Sequence, residues 1–332
     1  MISPRGDGEG ERGKVSRKTQ ARRLDLRPTV SAPAEPAARE GQTFAGESLL
    51  VRYANLVRLP HTVFALPFAL LGVVYASRVA PVTVAKIALV VVAFTAARFA
   101  AMGFNRIVDR RTDALNPRTQ NRELPSGRLS VRAAVAAVTA AAAVFVLAAG
   151  LLNPLCLALS PVALGWILLY SYAKRFTHWT HLWLGLSDGI SGPAGYLAIT
   201  GAWSAPWWTL PVLAAAITCW VGGFDFLYAL QDEAFDRAHG IRSAVVRYGR
   251  RGAVTGARVL HALTLACLVA LGLGAGFGVW YDAGLMVAAA LLLWEHRLVH
   301  PDDLSQLDAA FFTMNGVMSI VVFLGALVDR VL

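Results

Sequence analysis

Charge is what this sequence has least of. Asp, Glu, Lys and Arg make up only 16% of its 332 residues while 56% are hydrophobic, and a soluble domain carries roughly a quarter charged. A water-soluble chain of this length cannot hide that much apolar surface, which excludes a soluble enzyme. Acids are scarcer still beyond the amino-terminal stretch. Residues 1–47 hold seven of the 21 Asp and Glu and nine of the 31 Lys and Arg, leaving 14 acids for the remaining 285 positions. Cysteine is nearly absent. Cys156, Cys219 and Cys267 lie inside apolar runs with no CxxC or Cys/His spacing, so neither a disulfide framework nor a zinc site is indicated. The formal charge of +10 would suit nucleic acid in a soluble protein. At this hydropathy a positive-inside membrane bias accounts for it, and no nucleic-acid partner is expected.

Residues 1–45 also lack any hydrophobic period and are rich in Arg, Gly, Pro and Glu. They cannot bury enough surface to offset ordering entropy, so they are predicted to be a disordered tail preceding a membrane domain over 46–332. No apolar core follows the basic start, which excludes a secretory signal, and the seven acids argue against a transit peptide.

From Leu59 onward long apolar stretches recur with short polar breaks. A spanning helix needs about 20 mostly apolar residues. The candidates are 59–78, 83–104, 130–150, 153–172, 181–200, 207–229, 254–275, 277–295 and 309–329, with tight turns at Asn153-Pro154 and Gly274–Gly278. The predicted fold is all-α: an integral membrane bundle of about nine transmembrane helices. Basic residues cluster in alternate loops. Arg106, Arg110, Arg111, Arg118, Arg122 and Arg128 follow the second span, Lys174 and Arg175 the fourth, and Arg237, Arg242, Arg247, Arg250 and Arg251 the sixth. The opposite loops carry Arg78 and otherwise no base. This asymmetry places the amino terminus and the basic loops in the cytosol, with Trp203, Trp207 and Trp208 in the outer interfacial belt. The Gly-rich stretches 189–195 and 271–278 are expected to allow close helix packing.

The few remaining acids are concentrated. Asn105, Asp109 and Asp113 follow one another at i, i+4 and i+8, on one face if the second helix continues that far. Asp232 and Asp236 form a second i, i+4 pair after the sixth span, with Glu123 and Glu233 in the same two segments and Asp225 just inside the helix. Taken singly, such a cluster could be a solvated helix end. Two carboxylate pairs beside hydrocarbon on one side of the membrane point instead to function. An oxygen-only ligand set suits Mg²⁺, which binds through one or two carboxylates together with substrate phosphates. Asp109, Asp113, Asp232 and Asp236 are therefore the candidate catalytic metal ligands, with Asn105 as a ligand or its neighbour. Arg118, Arg122, Lys174 and Arg242 are candidate diphosphate clamps. The histidines show no ligand spacing and are assigned to packing or interface roles.

These residues carry a resemblance. N-x-x-x-D-x-x-x-D at 105–113 followed by N-R-E-L-P-S-G at 121–127 resembles the first signature of the UbiA-type membrane prenyltransferases. D-x-x-x-D at 232–236 before G-I-R-S resembles the second, and Y-S-Y-A-K-R-F-T at 170–177 the fourth-helix motif. The similarity runs from about Arg58 to the end of the chain. Two stretches, L-V-R-L-P-H-T-V-F-A-L-P-F-A-L at 56–70 and G-F-D-F-L-Y-A-L-Q-D-E-A-F-D at 223–236, resemble the 4-hydroxybenzoate polyprenyltransferase branch most. Ala234 and Phe235 depart from relatives with extra acids in the second motif. The resemblance implies a central cavity under a cytosolic cap, with Asp motifs that bind polyprenyl diphosphate through Mg²⁺. It also implies a small aromatic acceptor, and a multi-pass enzyme of ubiquinone or menaquinone biosynthesis in a bacterial plasma membrane. 1,4-Dihydroxy-6-naphthoate, haem or chlorophyll-like rings are alternative acceptors, and a membrane transporter is the rival outside the class. A cation must meet the acceptor carboxylate. Arg58 and Arg98 are the candidates, with Arg58 preferred for its place at the cytosolic start of the first span.

Overall fold

The computed structural model describes residues 44, 46, 48–59, 62–301, 303–305, 307 and 314–332. The expected amino-terminal tail lies outside these residues apart from Phe44. In chain order the helices are α1 (Leu49–Leu56), α2 (Thr62–Ala76), α3 (Val84–Leu115), α4 (Val131–Leu152), α5 (Pro154–Ala173) and α6 (Thr180–Gly189). They continue as α7 (Ser191–Thr200), α8 (Thr209–Tyr228), α9 (Glu233–Ala238), α10 (Ala244–Ala275), α11 (Val279–Leu298) and α12 (Asn315–Val331). A 3₁₀ turn, Ala229–Asp232, joins α8 to α9. Among the described residues there is no sheet, only an isolated bridge between His300 and Asp303.

Local chemistry sets the helix starts. Thr83, Ser130 and Ser243 each accept a backbone N–H from the first turn of α3, α4 and α10. At the expected Asn153-Pro154 turn, Asn153 caps α5 and Pro154 occupies a position where no N–H is needed. The Asn153 amide also donates to the Leu197 and Ala198 carbonyls at 2.9 and 3.2 Å, tying this turn to the end of α7.

Packing is inverted relative to a protein in water. Phe68, Tyr196, Trp220 and Tyr281 are buried in a core shared by α2, α7, α8 and α11, whereas Leu147, Leu151, Val162, Leu273 and Met286 are each more than 60% exposed. Large apolar side chains left open on several helices need lipid around them. Among the described residues five helical runs are long and apolar enough to cross a membrane: Val84–Leu115, Val131–Leu152, Pro154–Ala173, Thr209–Ala238 and Ala244–Ala275. The expected nine spans are not all of this kind. The stretch 181–200 breaks at Ile190 into two ten-residue helices, α2 has 15 residues, and the start of 309–329 lies outside the described residues.

Glycine lets α2 and α7 touch. A Cβ at Gly195 would collide with the Ala69 carbonyl oxygen, and one at Gly72 with that of Gly192. This bears out close packing for the 189–195 stretch. Gly195→Ala is expected to destabilise the bundle by about 1–3 kcal/mol through overpacking. Thermal unfolding in detergent measures this, and an unchanged midpoint would refute the close approach.

The 32 residues of α3 extend about 48 Å at 1.5 Å per residue, against a hydrocarbon core of about 30 Å. The helix therefore outruns the apolar layer, and its last turns carry Asp109 and Asp113.

Candidate active site

The condition set by the i, i+4, i+8 spacing is met: α3 runs unbroken through Asn105, Asp109 and Asp113. The second acidic pair is built differently from the expected helical repeat. The chain tightens to 3₁₀ over Ala229–Asp232 and restarts as α9 at Glu233, so Asp232 and Asp236 belong to different elements. They nonetheless face the same place. A polar cavity of about 170 Å³ is lined by Asn105, Asp109 and Asp113 from α3, Arg118 and Arg122 from the following loop, and Lys174 from the end of α5. Asp232 and Asp236 complete its wall.

Within this cavity acids and bases are paired across long stretches of sequence. Lys174 Nζ donates to Asp109 Oδ2 at 2.5 Å, and Arg122 Nη1 to Asp113 Oδ1 at 2.8 Å. Arg118 forks onto Asp232, with Nε on Oδ1 at 2.9 Å and Nη2 on Oδ2. Asn116 Nδ2 adds a bond to Asp232 Oδ1 at 3.1 Å. Arg118 and Arg58 both donate to the Tyr228 hydroxyl at 3.3 Å. Burial, the largest single influence, lowers Arg118, but the charge and hydrogen bonds of Asp232 together with Tyr228 outweigh it and hold the guanidinium above its ordinary value. Arg122 is pulled below its ordinary value by burial, against the opposing pull of Asp113.

Three sequence candidates lie elsewhere. Arg242 does not line the cavity. Its backbone N–H donates to the Lys174 carbonyl at 3.0 Å and its Nη1 to Phe176 O at 2.5 Å, so it fastens the chain beyond α9 to the end of α5. Arg58 is buried against Tyr228. Arg98 lines a second, apolar cavity of about 240 Å³ formed mainly by α3, α5, α6 and α7. Tyr170 lines both cavities, so they adjoin at this one side chain.

Among the described residues no three His, Cys, Asp or Glu side chains stand close enough to hold a metal by themselves. The carboxylates are kept apart by their basic partners. Even so, Asp109 Oδ1 and Asp113 Oδ2 are buried with no hydrogen-bond partner, although both side chains line the polar cavity. Hard carboxylate oxygens without donors suit a hard cation that completes its shell with waters and phosphate. The residues fit Mg²⁺ held jointly with a diphosphate, not in an all-protein cage.

Sequence reasoning left several polar residues unassigned. Asp188 pairs with Arg98 at 3.2 Å in the apolar cavity. Asp225 pairs with His181 at 2.6 Å, which gives that histidine a specific partner. The available signal was the rarity of ionisable side chains within apolar helices.

The fold and the charged cavity that adjoins an apolar one at Tyr170 define a membrane-embedded helical protein. The chain belongs to the UbiA prenyltransferase family, which its residues 65–317 match; it is a membrane-bound prenyltransferase. It is 34% identical to a 4-hydroxybenzoate octaprenyltransferase of Alkalilimnicola ehrlichii, over 70% of this chain and 78% of the relative. It is 33% identical to that of Nitrosospira multiformis, over the same shares. Among solved structures, an apo UbiA homologue from Aeropyrum pernix K1 superimposes with a TM-score of 0.74 at 32% identity, covering 81% of this chain and 98% of the other. A UbiA homologue from Archaeoglobus fulgidus bound to DMAPP and Mg²⁺ shares the fold, with a TM-score of 0.67 at 20% identity over 85% and 99% of the two chains.

Proposed function

We propose that this protein transfers a polyprenyl group from polyprenyl diphosphate to an aromatic acid of the 4-hydroxybenzoate type, in ubiquinone or menaquinone biosynthesis. The observation that carries the reading is the junction at Tyr170 of a charged cavity with an apolar one. A diphosphate head and a hydrocarbon tail need such neighbouring environments. The names of the relatives at 33–34% identity support the acceptor class.

In this reading Asp109, Asp113, Asp232 and Asp236 hold Mg²⁺, with Asn105 beside them. When bound, Mg²⁺ neutralises the diphosphate as a leaving group. Lys174, Arg118 and Arg122 turn from their carboxylates to phosphate oxygens, and Arg242 holds the Lys174 backbone in place. The apolar cavity excludes water that would quench the allylic cation formed as the C1–O bond ionises. The electron-rich ring carbon beside the acceptor hydroxyl then attacks C1, and the ring regains aromaticity by losing the proton at that carbon to the released diphosphate. In this reading the basic loops, the charged cavity and the amino terminus face the cytosol of a bacterial plasma membrane.

Of the two candidate carboxylate partners, Arg98 lines the apolar cavity, and its buried Nε has no hydrogen-bond partner. The reading therefore moves to Arg98 in place of Arg58. Membranes given radiolabelled polyprenyl diphosphate and a panel of phenolic acids should label the acid. Label in lipid headgroups or a tetrapyrrole instead would overturn the acceptor class. Arg98→Gln should raise the acceptor KM at least tenfold, the effect of losing a hydrogen bond to a charged group. The prenyl diphosphate KM should change little. If Arg58→Ala does this and Arg98→Gln does not, the carboxylate sits beside Tyr228.

A further inference from the structure

A carboxylate in an apolar wall needs an explanation that Arg98 alone does not supply. Among the described residues, Arg98 and Asp188 are the only Arg, Lys, Asp or Glu side chains lining the apolar cavity, one from α3 and one from α6. Arg98 Nη1 meets Asp188 Oδ1 at 3.2 Å, and the side chains keep 15% and 18% of their exposure. The contact leaves groups unused on both partners. Arg98 Nε is buried without a hydrogen-bond partner, and among the described residues Asp188 Oδ2 makes no hydrogen bond. Towards the cavity the pair thus presents the Arg98 guanidinium beside an Asp188 oxygen that makes no hydrogen bond.

Their depth suits the ring of an acceptor. Arg98 lies 11 residues before Asp109 on α3, about 16 Å along the helix axis at 1.5 Å per residue. Tyr170 lies at the meeting point of the two cavities. An aromatic acid anchored on Arg98 would direct its far end towards that junction.

The charge balance then discriminates. A salt bridge to one carboxylate already neutralises Arg98. A second carboxylate, from the acceptor, would leave net negative charge in a low-dielectric wall. A neutral hydroxyl that donates to Asp188 leaves the net charge unchanged but stabilises it, so the penalty is smaller for an acceptor that brings one. A monohydroxy acid has its single hydroxyl at the far end of the ring and leaves Oδ2 bare. An acid with a second hydroxyl satisfies both groups. Sites built to bind a substrate hydroxyl discriminate strongly against analogues that lack it, because a buried polar group is left unpaired.

We propose that Asp188 is a specificity-determining residue of this prenyltransferase, and that with Arg98 it selects aromatic acids carrying a second, hydrogen-bond-donating hydroxyl. This rests on the prenyl transfer to an aromatic acid proposed above. The experiment compares 4-hydroxybenzoate with 2,4- and 3,4-dihydroxybenzoate in membranes of the full chain, using radiolabelled prenyl diphosphate. The measured quantity is the ratio of kcat/KM for the better dihydroxy acid to that for the monohydroxy acid. A ratio taken within one preparation is independent of how much protein is folded.

The wild type should favour the dihydroxy acid by at least about tenfold, the worth of one hydrogen bond to a charged group. Asp188→Leu should erase that preference and improve 4-hydroxybenzoate, since Arg98 is then free for its carboxylate. Asp188→Asn keeps an acceptor oxygen without the charge and should fall between. Opposite movement of the two acids is a result that structural damage alone does not produce. A wild type without preference, or a parallel fall for both acids in both variants, would overturn the role of Asp188 while leaving aromatic prenyl transfer standing. Label in no phenolic acid at all would bring down the acceptor reading itself, and this inference with it.

Discussion

Stripping divalent metal from membranes that carry this protein should abolish prenyl transfer, and adding Mg²⁺ should restore it. The expectation follows from the charges at the polar cavity. Asp109, Asp113, Asp232 and Asp236 line it, and a diphosphate could not approach four carboxylates without cations to intervene. Lys174, Arg118 and Arg122 supply three positive charges, each already facing an acid, and Arg106 a fourth that donates to the Leu56 carbonyl. They cannot neutralise both the acids and the substrate. EDTA treatment followed by titration with Mg²⁺, read as label transferred, measures the effect. Full activity in metal-free membranes would remove the metal from the proposal and leave the arginines and lysine as the only counter-charges.

Replacing one acid should be nearly as severe. Asp109→Asn and Asp232→Asn are each expected to lower kcat by about a hundredfold or more, the scale seen when a preorganised charge at a reacting group is lost. Asparagine has almost the same shape, so helix packing should survive. The two variants differ in what they leave behind. Asp109→Asn deprives Lys174 of its charged partner at 2.5 Å. Asp232→Asn breaks the fork with Arg118 but keeps an oxygen for Asn116. Membrane insertion can be followed by detergent extraction and monodispersity. A variant that is well inserted and works at near wild-type rate would reduce its acid to a solvated helix end.

Much of this arrangement was legible in the sequence, for reasons that can be stated residue by residue. The spacing of Asn105, Asp109 and Asp113 encodes one helical face, and α3 continues far enough to use it. The scarcity of acids elsewhere marked 232–236 as a partner segment. Its local form was not legible, because nothing in the residues around Gln231 announces a change from α to 3₁₀. The break at Ile190 did carry a signal that the apolar run masked: Gly189, Gly192 and Pro193 surround it, and Pro193 has no N–H to donate to the Gly189 carbonyl. The pairings were hidden for another reason. Asp109 and Lys174 are 65 positions apart, and Arg118 and Asp232 are 114 apart, so only packing reveals them. The same holds for the buried contacts of Trp220 Nε1 with Asn315 Oδ1 at 2.8 Å and of Asn315 Nδ2 with Glu295 Oε1 at 2.9 Å. A positive-inside count treats all loop arginines alike. Yet Arg242 serves the backbone at the end of α5, and Arg250 holds Glu233 at 2.7 Å.

The closed pairs of the polar cavity have a consequence for how its ligands arrive. Under the proposed function each pair opens for substrate to bind, and opening releases two opposite charges at once. The carboxylate so released is of use only to a metal ion, and the ammonium or guanidinium only to a phosphate. Metal arriving alone would strand the bases, and diphosphate arriving alone would strand the acids. Either ligand by itself therefore recovers only part of the interaction it breaks, whereas the two together recover both halves. Affinity for each is then raised by the presence of the other, equally in both directions, as linkage requires. The resting protein meanwhile keeps its most strongly charged residues mutually neutralised at the edge of the membrane, and the charges separate only for the complete ligand pair.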